Sequence, residues 1–112
     1  MQVALRGVGI MLRTQANARI HLGVTLVVVV AGLGLGLDRT DWSWIVLAII
    51  VVWIAEGLNT ALERLADALH PDYHPLVRQA KDVAAAAVLI AALGAVLIGL
   101  LVFWPYLFER VG

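Results

Sequence analysis

The side chains best suited to chemistry in this sequence are the polar ones between residues 56 and 67. Glu56, Asn59 or Thr60, Glu63 and Asp67 recur at steps of three and four residues, which places them on one stripe of a helix. We place Trp42 at the outer membrane interface and count from there at about 1.5 Å per residue. Glu56 then lies about 21 Å along a continuous helix and Glu63 about 32 Å. Against a hydrocarbon core of about 30 Å, Glu56 is expected inside a membrane and Glu63 at its surface.

A carboxylate at the depth of Glu56 costs at least a few kcal/mol unless it is paired, protonated or in a wet cavity, so it is a functional candidate. The alternative is an internal ion pair or a protonated packing residue. For Glu63 and Asp67 the alternative is a solvated helix end, with Arg64 as a headgroup contact.

A second polar cluster, residues 78–82, stands just before a run without a formal charge, residues 83–108. At a helix start, Lys81 and Asp82 can bind phosphate and metal, helped by free backbone N–H groups. The alternative is a capping Asp82 with a snorkelling Lys81. Between the clusters, residues 70–75 contain turn formers and two histidines; because prolines interrupt them, a polar loop is favoured over a metal site.

Carboxylates, an amide and a lysine at a membrane surface are the groups needed for phosphoryl transfer to a lipid hydroxyl. Bound phosphates need metal ligands, the leaving group needs positive charge and the hydroxyl needs a base. The sequence has neither a glycine-rich phosphate loop of the Walker type nor the protein-kinase signature, which excludes those two architectures.

The composition indicates which elements must position these groups. Of 112 residues, 62% are hydrophobic and 14% charged, and the mean hydropathy is +0.95, which excludes an ordinary soluble domain. With no cysteine and a net charge of zero, the chain is not a disulfide scaffold, a zinc module or a polybasic nucleic-acid binder.

Three runs without a formal charge predict the membrane spans: residues 20–37, 42–55 and 83–108. The first and third are by themselves long enough to cross the hydrocarbon core of a membrane. We predict an all-α membrane protein with a single domain over residues 1–112. It consists of a surface helix over 1–19 and helices over 20–37, 42–69 and 82–108 that contain the spans. The amphipathic spacing of Gln2, Arg6 and Arg13 supports the surface helix; the alternative is a frayed start of the first span. Small residues at every fourth position predict close helix contacts: Gly32 and Gly36 in the first span, and Ala87, Ala91, Ala95 and Gly99 in the third.

The basic residues predict the orientation. With a cytoplasmic N-terminus, six of the eight lie inside and only Arg39 and Arg110 lie outside, as the positive-inside rule favours. Trp42 and Trp104 then stand in an outer aromatic belt. The prediction is a multi-pass protein of the cytoplasmic membrane with its C-terminus outside.

The sequence resembles the small integral-membrane diacylglycerol kinases of prokaryotes, including the undecaprenol kinases. The resemblance covers about residues 13 to 104 and depends on a set of motifs in order: Glu56-x-x-Asn59-Thr60-Ala61-x-Glu63-x-x-x-Asp67, Asp72-Tyr73-His74 and Ala80-Lys81-Asp82-x-x-Ala85-x-Ala87-Val88. A further motif near the start, Asn17-x-Arg19-Ile20-His21-Leu22, is similar to the undecaprenol kinase branch.

The resemblance implies a homotrimer with active sites where neighbouring subunits meet near the cytoplasmic face. It implies that Glu56 is the general base, with Asn59 beside it, and that Glu63 binds the magnesium that accompanies ATP. It further implies nucleotide contacts from Glu63 and from five other residues: Asp72, Tyr73, His74, Lys81 and Asp82. Where many relatives carry a second metal-binding glutamate, this chain has Gln15, which offers a neutral oxygen and no charge.

The sequence is therefore compatible with two functions. The first is an ATP- and Mg²⁺-dependent kinase of a membrane lipid alcohol, either diacylglycerol or undecaprenol, with the N-terminal motif favouring undecaprenol. The second is a non-enzymatic membrane oligomer, proton-conducting or scaffolding, that uses Glu56 as a buried titratable group. The second explains Glu56 but gives no reason for Glu63, Lys81 and Asp82 to collect at one surface.

Overall fold

The computed structural model describes residues 1–109, and within them the chain is helical with no strand. The helices are α1 (Gln2–Thr14), α2 (Ala16–Leu35), α3 (Arg39–Leu69) and α4 (Pro75–Trp104), followed by a short π-helical segment, Pro105–Glu109. By length and composition, α2, α3 and α4 can each cross a membrane. The predicted all-α membrane fold is confirmed, while Arg110 lies outside the described residues.

The corner between α1 and α2 lies at Gln15, where the backbone is extended (φ −118°, ψ 115°). The first helix therefore ends at Thr14, before the predicted residue 19, and α2 begins at Ala16. The Arg19 side chain stabilises this corner, because its Nη1 donates to the main-chain oxygens of Leu12 (2.9 Å) and Arg13 (3.2 Å). A helix C-terminus leaves such carbonyl groups without partners inside the helix.

The connection between α2 and α3 is shorter than expected. Gly36 ends α2 in the left-handed conformation (φ 69°), which glycine adopts without steric cost. The Asp38 carboxylate then accepts a hydrogen bond from the Asp41 N–H (2.8 Å) and caps α3. Residues 39–41, expected in the loop, thus form the first turn of α3, and Gly36 is a helix cap instead of a contact in a packing seam.

Helix α4 begins seven residues earlier than the predicted residue 82. Pro75 stands at its first position, where its missing N–H removes no helical bond, and the His74 Nδ1 accepts the Leu76 N–H (3.1 Å). Lys81 and Asp82 therefore lie in the second turn. The sequence predicted that Lys81 and Asp82 lie beside the free N–H groups of a helix start. Those groups belong to the first turn of α4, so this prediction is wrong.

Helix α3 is the centre of the molecule and packs against α1, α2 and α4. At one end, called here the Tyr106 end, Leu37, Ile45, Val102 and Tyr106 form a buried cluster. The Tyr106 hydroxyl donates to the Asp41 carboxylate (2.6 Å). The opposite end, called the loop end, carries residues 70–74 between α3 and α4.

Gly32 lies where α2 packs closely against the Trp42 and Leu37 side chains. A Cβ atom there would stand 2.7 Å from the Trp42 ring and 3.0 Å from the Leu37 side chain. We expect Gly32→Ala to displace the ring and to destabilise the fold by about 1–3 kcal/mol, the usual cost of overpacking. Gly34→Ala is the matched control, because no atom lies within 4 Å of its added Cβ. Thermal unfolding in detergent tests this, and equal midpoints for the two variants would contradict it.

Candidate functional site

The polar stripe of α3 passes from the buried interior to an exposed end. Glu56 is fully buried (0% exposed), and Asn59 and Thr60 are buried as well. Glu63 is half-buried and Asp67 is exposed. The predicted stripe is therefore present on one continuous helix, and Glu63 lies about 10 Å from Glu56 along its axis at 1.5 Å per residue.

Glu56 is buried without a strong polar partner. Among the described residues, neither carboxylate oxygen of Glu56 forms a hydrogen bond, and the Asn59 Oδ1 is also unpaired. Thr60 differs, since its hydroxyl donates to the Glu56 main-chain oxygen (2.9 Å). Native proteins leave very few buried polar atoms unpaired, so each such atom calls for an explanation. The unpaired oxygens of Glu56 and Asn59 are acceptors that a reacting group can use.

His21 is the polar side chain that approaches Glu56. Its Nε2 lies 3.5 Å from the Glu56 Oε2, and 18% of the His21 side chain is exposed. His21 is not among the site residues predicted from the sequence. The available signal was a histidine inside a charge-free run, since an ionisable residue at membrane depth commonly has a partner.

An apolar cavity of about 310 Å³ opens beside His21, between α2, α3 and α4. Apart from His21 and Thr25, its walls are hydrophobic, with Val24, Val52 and Phe103 among them. The cavity is suited to a hydrocarbon chain because it offers almost no hydrogen-bonding group. A second apolar groove of about 600 Å³ lies between α3 and α4 and includes Asn59.

At the loop end, α3 and α4 are joined by an ion pair. The Lys81 Nζ donates to the Asp67 Oδ1 (2.5 Å), so the structure brings together two residues that the sequence placed in separate clusters. Asp82 instead pairs with Arg78 one turn before it (3.4 Å), and both are largely exposed. Such exposed pairs contribute little stability, which leaves these side chains available for a ligand.

The predicted polar loop is present at residues 70–74. The His70 and His74 rings meet edge to face with centroids 5.1 Å apart. The His70 Nδ1 lies 2.8 Å from the Asp72 main-chain oxygen, and the Tyr73 side chain is 79% exposed. Because the His74 Nδ1 already caps α4, the two histidines do not form a ready metal site.

Metal-binding side chains do not converge in the part of the chain that the structure describes: no group of three histidine or acidic residues is placed to hold an ion. Magnesium commonly takes only one or two protein carboxylates, with phosphates and water as the other ligands. The half-buried Glu63 fits this pattern as a single charged ligand. Gln15 lies in the corner between α1 and α2, where it has only a neutral oxygen to offer.

The amino-acid sequence is similar to a family of known proteins over most of its length. Residues 2–103 match the sequence profile of a family described as prokaryotic diacylglycerol kinase. An undecaprenol kinase of Bacillus subtilis is 37% identical over 102 residues, which cover 91% of this chain and 83% of the relative.

Two diacylglycerol kinases are also similar. The one from Synechocystis is 40% identical over 97 residues, covering 86% of this chain and 55% of the relative. The one from Escherichia coli K12 is 37% identical over 62 residues, covering 55% and 51%. The chain thus spans about half the length of these two relatives.

Proposed function

This chain belongs to the prokaryotic diacylglycerol kinase family, and we propose that it transfers the γ-phosphate of ATP to the hydroxyl of a membrane lipid alcohol. Family membership supports a lipid kinase and removes the reason for a non-enzymatic proton-conducting or scaffolding oligomer. The relatives include kinases named for both diacylglycerol and undecaprenol.

The observation that carries the proposal is the fully buried Glu56 carboxylate with two unpaired oxygens. We assign it the role of general base. The lipid hydroxyl gives its proton to Glu56, its oxygen bonds to the γ-phosphorus, and the bond from that phosphorus to the oxygen of the ADP leaving group breaks. A base must lie within hydrogen-bond reach of the proton it takes, and Glu56 has no other bonded partner among the described residues that competes for its oxygens.

The apolar cavity and Asn59 fit the lipid acceptor. A hydrocarbon chain in the cavity beside His21 brings its hydroxyl end towards Glu56. The free Asn59 Oδ1 is an acceptor on the same stripe, and we assign Asn59 the role of orienting the reacting groups. Excluding water from this apolar region strengthens each electrostatic interaction within it.

The loop end fits the nucleotide. Lys81 can supply positive charge for phosphate once it exchanges Asp67 for the ligand. Asp72, Tyr73 and His74 lie on an exposed loop that water-soluble ATP can reach, and Asp82 is an exposed residue in the second turn of α4. We propose these residues as nucleotide contacts, with Glu63 between them and Glu56.

We propose that Glu63 holds Mg²⁺, with Gln15 as a neutral second ligand. When bound, the ion would neutralise negative charge that develops on the transferred phosphate. Glu63 suits Mg²⁺ because its carboxylate is a hard, charged oxygen ligand about two helical turns from the base. Phosphate oxygens can complete the coordination.

We also propose an orientation in the membrane and an assembly for this chain. The loop end faces the cytoplasm, since Arg64, Arg78 and Lys81 lie there and basic residues favour that side. The protein is then a multi-pass protein of the cytoplasmic membrane. Many large apolar side chains of α2 and α4 are exposed, and lipid or further copies of the chain can cover them. We propose for this chain the homotrimer that the family resemblance implies.

A side-by-side transfer assay tests the function and selects the acceptor. The purified chain in mixed micelles receives labelled ATP, Mg²⁺ and either diacylglycerol or undecaprenol, with Glu56→Gln as the control. We expect labelled lipid phosphate with at least one alcohol, and more with undecaprenol because the Asn17–Leu22 motif resembles that branch. Transfer to neither alcohol would overturn the proposed function.

A further inference from the structure

We propose that His21 positions the Glu56 carboxylate for proton transfer from the lipid hydroxyl. This inference rests on the proposed function, because His21 acts only through Glu56. The two residues lie on different helices, His21 near the start of α2 and Glu56 within α3. The packing of α2 against α3 therefore determines whether they meet.

The environment of Glu56 provides the first argument. The side chain is fully buried, and its oxygens have no hydrogen bond within residues 1–109. His21 is the one ionisable partner that the described structure places near them, with 3.5 Å between Nε2 and Oε2. That separation exceeds a hydrogen bond of about 3 Å, but catalytic contacts are often long outside the reactive complex and shorten within it.

The direction of the contact provides the second argument. The imidazole faces Oε2 and leaves Oε1 free to take the hydroxyl proton. A neutral imidazole can donate one N–H and thus hold the carboxylate in a single orientation. In an apolar region a hydrogen bond to a charged group is especially strong. In this step the hydroxyl proton moves to Oε1, and His21 keeps its own proton.

The location of His21 provides the third argument. Its ring lines the apolar cavity proposed for the acceptor chain and retains 18% exposure. It therefore stands between the cavity and the base. A lipid hydroxyl that approaches Glu56 through this cavity passes His21.

A purely structural role is the competing explanation, in which His21 only joins α2 to α3. The chain already has another contact for that purpose about one turn away. The Trp53 Nε1 of α3 donates to the Thr25 hydroxyl of α2 (3.0 Å). Trp53→Phe removes this bond and keeps an aromatic ring, so it is a matched control for loss of helix docking.

The test uses the full chain in mixed micelles with Mg²⁺, ATP and each of the two lipid alcohols. His21→Phe keeps a ring but cannot donate to Glu56. We expect it to lower kcat by about 10- to 100-fold, as expected for losing a hydrogen bond to a charged group, with the KM for ATP within about twofold of wild type. His21→Gln keeps a donor and should retain at least about three times the kcat of His21→Phe. Trp53→Phe should keep kcat within about twofold and lower only the unfolding temperature.

A double-mutant cycle separates positioning from packing. In the Glu56→Gln background, His21→Phe should lower the residual kcat by less than about threefold, because residues that act as a unit are not additive. A wild-type kcat in His21→Phe, or an equal loss in both backgrounds, would overturn the inference. If His21→Phe does not fold, His21→Leu, which also lacks a donor, takes its place. A wild-type kcat of His21→Leu in the Glu56 background would overturn the inference, and a loss confined to that background supports it. Absence of transfer by the wild type overturns the proposed function itself.

Discussion

Glu56→Gln is expected to lower kcat for lipid phosphorylation by about 10³-fold, within the range of about 10²–10⁴ that a general base contributes. Glutamine has nearly the shape of glutamate but cannot take the hydroxyl proton. The fold should be retained or stabilised, because the substitution removes a buried carboxylate whose oxygens have no hydrogen bond among the described residues, and an uncompensated buried charge is costly. Loss of activity together with an equal or higher unfolding temperature is the expected result.

The control for this prediction is Glu56→Asp. Aspartate keeps the carboxylate, so Glu56→Asp should retain more activity than Glu56→Gln. Its side chain is shorter by one methylene group, which displaces the base, so its kcat should stay below that of the wild type. The measurements are initial rates at saturating ATP and lipid, and thermal unfolding of each variant in the same detergent. A Glu56→Gln enzyme with more than about a tenth of the wild-type kcat would contradict the assignment of Glu56 as the base.

The spans and the polar stripe could be predicted from the sequence because both are properties of a single helix. A run of apolar residues determines whether a helix can cross the membrane, and steps of three and four determine which side chains share a face. Glu56, Asn59 and Thr60 are buried together on α3 for that reason. The helix ends were less predictable, because charge marks the membrane surface and not the end of a helix. For example, α4 begins at Pro75, capped by His74. The sequence around these two residues is rich in turn formers and therefore predicted a loop.

The contacts between helices could not be predicted from spacing. His21 meets Glu56, and Lys81 meets Asp67, only because α2 and α4 pack on α3 with particular rotations about their axes. Gly36 shows the same limitation on a smaller scale. Two glycines four residues apart fit either a packing seam or a helix end. The structure distinguishes them: Gly32 lies beside Trp42, where an added Cβ would not fit, whereas Gly36 terminates α2.

Glu63→Gln is expected to raise the Mg²⁺ concentration for half-maximal activity by about tenfold or more and to lower kcat by about 100-fold. Hard cations prefer charged oxygen ligands, and Glu63 is the one charged ligand in the proposed set, because its partner Gln15 is neutral. Losing it leaves the ion with two amide oxygens from the chain. Arg64→Gln is the matched control, since it changes a neighbouring charge on an exposed side chain and should leave the Mg²⁺ dependence unchanged.

The Gln15→Glu substitution tests the same site in the opposite direction. It restores the glutamate that the family resemblance implies at this position, so it should lower the Mg²⁺ requirement of the wild type and recover part of the activity lost in Glu63→Gln. Titration of initial rates with Mg²⁺ at fixed ATP measures both effects. If Glu63→Gln and wild type share one Mg²⁺ curve, Glu63 is not a metal ligand. If Gln15→Glu moves neither curve, Gln15 lies outside the metal site, and the magnesium is then held by Glu63 and phosphate oxygens.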